Sequence, residues 1–128
     1  MQAQCLRIPL LSGKTERFVE WIDEMNQRKD EMLESMRHEG LVAEAMFLSR
    51  GAAGDAVILY MQARDLAHAQ QVFAASKLPV DLDTRQIIQE CWDVTRAERL
   101  DVLLELVGPV SADDGRTLPP PGEPELTE

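Results

Sequence analysis

From Gln4 to Leu10 the chain alternates, with Leu6, Ile8 and Leu10 to one side and Cys5, Arg7 and Pro9 to the other. That is the period of a half-buried strand. Ser12-Gly13-Lys14 supplies turn chemistry. Beyond it Phe18, Ile22, Met25, Met32, Leu33 and Met36 recur at steps of three, four and seven, the stripe of a helix laid on a sheet. Thr15 can cap this helix, acidic residues crowd its early turns, Arg37 and His38 lie in its last, and Gly40 is a natural stop. The pattern predicts one long helix over Thr15 to Glu39.

Leu41 to Ala63 holds two apolar runs around Gly51-Ala52-Ala53-Gly54, a β-hairpin signal. Pairing Arg50 with Asp55 sets Glu44 beside Met61, Ala45 beside Tyr60, Met46 beside Leu59 and Leu48 beside Val57. One face then carries Val42, Glu44, Met46, Leu48, Val57, Leu59 and Met61. The other carries Leu41, Ala43, Ala45, Phe47, Ile58, Tyr60 and Gln62. Both faces are largely apolar, and the chain has helices for one side only, so a second copy is expected on the other.

Asp65 can cap a helix running to about Ser76, with Leu66, Ala69, Val72 and Phe73 inward; Pro79 breaks it, and Asp83 can cap another that packs Ile87, Ile88, Cys91 and Trp92. Glu98 to Val107 fits a strand or a helix equally by period, and is taken as a fourth strand. The order strand, helix, hairpin, helices, strand is the split β-α-β arrangement of an α+β, ferredoxin-like sandwich with a four-stranded antiparallel sheet in the spatial order 4-1-3-2. The domain is expected over residues 1–108. Residues 109–128, rich in proline and acid, read as a disordered tail dispensable for folding.

Composition adds mostly exclusions. Thirteen Lys plus Arg against 23 Asp plus Glu give a formal charge of −10, which opposes broad contact with nucleic-acid phosphates or anionic lipid. No apolar run approaches the roughly 20 residues of a membrane span, and the opening residues do not resemble a signal peptide, so a cytoplasmic protein is expected. Cys5 and Cys91 form no metal framework and read as thiols. No metal or cofactor motif is present, and neither His38 nor His68 stands in a ligand context. No nucleophile, base and orienting group come together in sequence, so no reaction can be read from it.

Two charges interrupt apolar rows. Lys29 falls at the centre of the long-helix stripe, and Glu44 lies within the Val42, Met46 and Met61 face. Lys29 either snorkels to the rim, with Glu44 at a sheet edge, or both enter one polar pocket beneath the helix. In the second case Lys29 holds an anion and Glu44 acts as a base; a register slip of one would replace Glu44 there by Tyr60. On the opposite face, Arg7 is expected near Asp101 or Glu105 of the last strand.

The runs LSGKTERFVEWIDEMNQRKDEMLESMRHEG, VAEAMFLSR, YMQARDLAHAQQVF and LPVD resemble a bacterial family of unknown function within the dimeric α/β-barrel superfamily. Similar sequences carry histidines around the segment matching Leu78 to Arg85, and this one has none. The resemblance implies a homodimer joined sheet to sheet, with any small-molecule ligand held between sheet and helices. Because that superfamily includes cofactor-independent monooxygenases, lactone isomerases, sugar mutarotases and haem-binding enzymes, it does not fix function. A small-molecule binder, a protein-interaction dimer, and a cofactor-independent monooxygenase or isomerase are the readings carried forward.

Overall fold

The computed structural model describes residues 1–108; the expected tail, 109–128, lies outside the described residues. Chain order is β1 (Gln2–Pro9), α1 (Thr15–Asn26), α2 (Lys29–Glu39), β2 (Leu41–Ser49), β3 (Ala56–Ala63), α3 (Leu66–Ala75), α4 (Pro79–Cys91), a 3-10 turn at Val94–Arg96, and β4 (Glu98–Arg99). The four strands form one antiparallel sheet in the order β2-β3-β1-β4, the expected order read from its other edge. This is an α+β architecture compatible with a ferredoxin-like fold.

Alternation in the strands decides which side is covered. Ile8 of β1, Leu10 just beyond it, and Val57 and Leu59 of β3 are buried against Phe18, Trp21 and Met25 of α1, Val80, Ile87 and Cys91 of α4, and Trp92. Phe18 stacks on Trp21 at 5.7 Å between ring centres and tilts against Trp92 at 5.9 Å. Full burial of each large apolar side chain is worth roughly 1.5–3 kcal/mol, so this layer carries most of the fold. A smaller cluster of Leu41, Ala63 and Ala69 seats α3. Among the described residues no helix lies on the opposite face, which carries Ala45, Phe47, Ile58 and Tyr60.

The hairpin register is as expected: Glu44 faces Met61, Ala45 faces Tyr60, Met46 faces Leu59 and Leu48 faces Val57. Arg50 reaches Asp55 at 3.9 Å across the turn. Asp55 also accepts the Thr15 hydroxyl at 2.7 Å, which ties the start of α1 to the hairpin. Thr15 is therefore a helical residue bonded to a loop, and Lys14 stands at the cap position. A bulge between Leu41 and Ala43 exchanges the faces at the start of β2. Leu41 turns inward and is buried while Val42 is exposed, the reverse of the unbroken alternation.

Three expected elements differ. The long helix is two helices, because Arg28 leaves helical geometry, and Gln27 and Arg28 donate to Glu24 and Met25, three residues back. Asn26 to Glu31 carries no apolar residue to hold a continuous helix against the sheet. Arg28 bonds instead to Glu31 at 2.8 Å and to Asp83 of α4 at 2.9 Å, pinning the break. Helix α4 begins at Pro79, four residues before Asp83, because proline suits the first helical position, where no N–H is needed. The last strand shrinks to Glu98–Arg99: Leu100 gives one more bond to Cys5, and residues 101–107 leave the sheet.

Gly40 ends α2 at φ +75 with open space where a Cβ would stand. Gly40→Ala is therefore expected to destabilise by about 1 kcal/mol, through the left-handed backbone alone. Denaturant unfolding with an unchanged slope and a lower midpoint checks this.

Candidate functional site

The two short helices keep one face each. Phe18, Trp21, Ile22 and Met25 of α1 share a stripe, as do Met32, Ser35, Met36 and Glu39 of α2. Two of the four inward positions on α2 are polar, and both are buried, with Glu39 only 8% exposed. Beneath them lies a cavity of about 230 Å³ between helices and sheet, whose walls include Trp21, Leu59, Met61, Phe73 and Trp92. Into this apolar enclosure come three carboxyl side chains, Glu39 from α2, Glu44 from β2 and Asp81 from α4.

Asp81, 4% exposed, is the best supported of the three. It accepts the Ser35 hydroxyl at 2.6 Å and the Ser76 hydroxyl at 2.5 Å, and Ser76 in turn accepts the backbone N–H of Leu78 at 3.1 Å. Its place in the first turn of α4 adds the favourable end of the helix dipole. Asp81 thus joins α2 to the α3–α4 connection. Arg85, one turn later, donates to the carbonyl oxygens of Phe73 and Ser76 at 2.6 and 2.7 Å and closes the same corner.

Glu39 has no such support. Its closest polar contact is Ser35 Oγ at 3.4 Å, a hydroxyl whose proton already serves Asp81 at 2.6 Å. Burial, then the charges of Asp81 and Glu44, push its pKa up to about 7, against a smaller opposing effect of Ser35. Burial and Asp81 also raise the pKa of Glu44. An acid that titrates near neutrality can both give and take a proton. Trp21 and Trp92 also line the cavity, while their indole N–H groups are packed within the protein without a hydrogen-bond partner. Among the described residues no group of three His, Cys, Asp or Glu side chains could hold a metal ion.

The family model of DUF6176, a family of unknown function, matches residues 1–111. The chain belongs to DUF6176. No curated protein matches it. No helix among the described residues is long and apolar enough to cross a membrane.

In this DUF6176 chain the sequence-derived candidates scatter. Glu44 lines the cavity, on the hairpin face expected for it. Lys29 does not: it is exposed as the first residue of α2, because the break at Gln27 and Arg28 rotates it away from the stripe that a continuous helix would have given. Tyr60 is half-buried on the uncovered face, since Leu59 and Met61 take the inward positions beside it. Arg7 stands opposite Glu98 rather than beside Asp101 or Glu105, which are exposed on the segment that has left the sheet. Glu39, Ser35 and Asp81 were the residues missed. Their signal was present: Ser35 and Glu39 fall on the Met32–Met36 stripe, and a helix started at Pro79 puts Asp81 in its first turn.

Proposed function

We propose that the cavity beneath α2 binds a small, largely apolar organic molecule, and that Glu39 holds or releases a proton at it. The observation that carries this reading is the arrival of three carboxyl side chains, Glu39, Glu44 and Asp81, from three elements in the lining of one largely apolar cavity. A wholly apolar space would be ordinary core and would favour a pure interaction protein; converging polar groups favour a binder. Of the enzyme classes implied by the dimeric α/β-barrel resemblance, isomerisation by proton transfer is the one that a carboxyl titrating near neutrality suits. Both tryptophans of the chain line the cavity, so their emission reports on it. Titration with three ring compounds of one shape, aminomethyl-cyclohexanol, hydroxymethyl-cyclohexanol and hydroxycyclohexane carboxylate, is expected to give a saturable emission change with at least one. No response to any of them at millimolar concentration would overturn the reading.

A second observation supports self-association as part of the same proposal. Phe47, Ile58 and Tyr60 face outward on the uncovered sheet, and the segment 101–107 carries Val102, Leu103, Leu104, Leu106 and Val107 into solvent, with Leu103 93% exposed. So much apolar surface on one small chain is expected to meet a second copy across the sheets. Light scattering should give twice the chain mass at micromolar concentration; a monomer would contradict the dimer and leave the cavity untouched.

A further inference from the structure

The chemical class of the ligand can be taken further, on the footing of the cavity reading above. Charge in the lining has one sign. Glu39, Glu44 and Asp81 arrive from three different elements, and among the described residues no Lys, Arg or His lines the space. Arg85 uses its guanidinium on the carbonyls of Phe73 and Ser76, and Lys29 and Lys77 are exposed. Buried carboxylates without a cation repel one another and lose hydration, a combined cost that a bound positive charge relieves. Burial first, and the charge of Asp81 second, raise the pKa of both Glu39 and Glu44.

Among the described residues no group of three His, Cys, Asp or Glu side chains is placed to hold a metal ion, so the cation argued for is an organic one. The remaining walls are apolar and aromatic: Leu59, Met61 and Phe73 contribute body, and Trp21 and Trp92 contribute aromatic surface, which attracts an ammonium.

We infer that the cavity is built for a small organic amine: an ammonium head beside the carboxyls of Glu39, Glu44 and Asp81, and a saturated or aromatic body against Leu59, Met61 and Phe73. The carboxyls select the charge. The walls select an apolar ring or chain over a hydrated polyol.

The three isosteric ring compounds separate this inference from the reading it rests on. Aminomethyl-cyclohexanol is expected to bind about tenfold or more tighter than its hydroxymethyl counterpart, with the carboxylate weakest. Glu44→Gln and Glu39→Gln should each weaken the amine several-fold and leave the neutral compound as it was; using both guards against one variant failing to fold. Equal binding of amine and alcohol, or tightest binding of the carboxylate, would overturn the amine class while the cavity stands as a ligand site. Silence from all three compounds would remove the ligand site and the amine class together.

Discussion

Replacing Glu39 by glutamine should stabilise the protein by up to about 3 kcal/mol at slightly alkaline pH and change little in acid. The folded carboxyl titrates at about 7. In the unfolded chain it ionises near the ordinary glutamate value, so across the interval between the two the folded state holds the extra proton. Stability supplied by this group is complete below the unfolded value, falls as pH rises through the interval, and is lost once the folded carboxyl ionises. Glutamine keeps the shape and the Ser35 contact without ever paying the cost of ionisation. Urea midpoints of wild type and variant should therefore coincide at about pH 4 and diverge towards about pH 8. A difference independent of pH would show that Glu39 is not held protonated by its surroundings. Glu44, raised by the same burial and the same neighbour, tilts the wild-type profile in the same direction.

Asp81→Ala has the opposite sign. Asp81 receives two hydroxyls in a buried setting, and hydrogen bonds to a charged group contribute about 1.5–3 kcal/mol each, so removing it leaves Ser35 and Ser76 without their acceptor. Against this stands relief of its repulsion with Glu39 and Glu44. That relief exists only where those groups are ionised. The loss should then be larger just below neutrality, about 3 kcal/mol, and smaller in alkali. The variant should also lower the pKa of Glu39, since Asp81 is the larger of the two charges that raise it. Unfolding profiles on both sides of neutrality check the sign, and carbon-detected titration of the Glu39 carboxyl checks the coupling. A loss that grew with pH would mean that Asp81 does not act on Glu39 through its charge.

The sheet was legible in the sequence because period-two alternation leaves little freedom once a turn is fixed. Arg50 and Asp55 flanking the glycine turn set every pair from Glu44–Met61 to Leu48–Val57. The start of β2 escaped because a bulge of one residue, at Val42, has no composition signal of its own there. The break between α1 and α2 escaped for a related reason: it contains neither Gly nor Pro, and its cause is Arg28 reaching a residue of α4 that is distant in sequence. That one error moved the candidate site. A continuous helix makes Lys29 an inward charge, whereas two helices leave Ser35 and Glu39 there, and a site read as one cation with one carboxyl becomes wholly acidic. Residues 101–107 misled in another way. Their apolar alternation is real, but among the described residues they pair with no strand, so period alone could not assign them a place.

Electron density in the cavity tests the central claim most directly. Crystals of the full chain, soaked in turn with aminomethyl-cyclohexanol and hydroxymethyl-cyclohexanol, should show a ring held against Leu59 and Met61 in at least one case. Its head group should lie within hydrogen-bond distance of Glu39, Glu44 or Asp81. Ordered water alone in both crystals, or side chains of Trp21 and Trp92 collapsed to fill the space, would contradict the account.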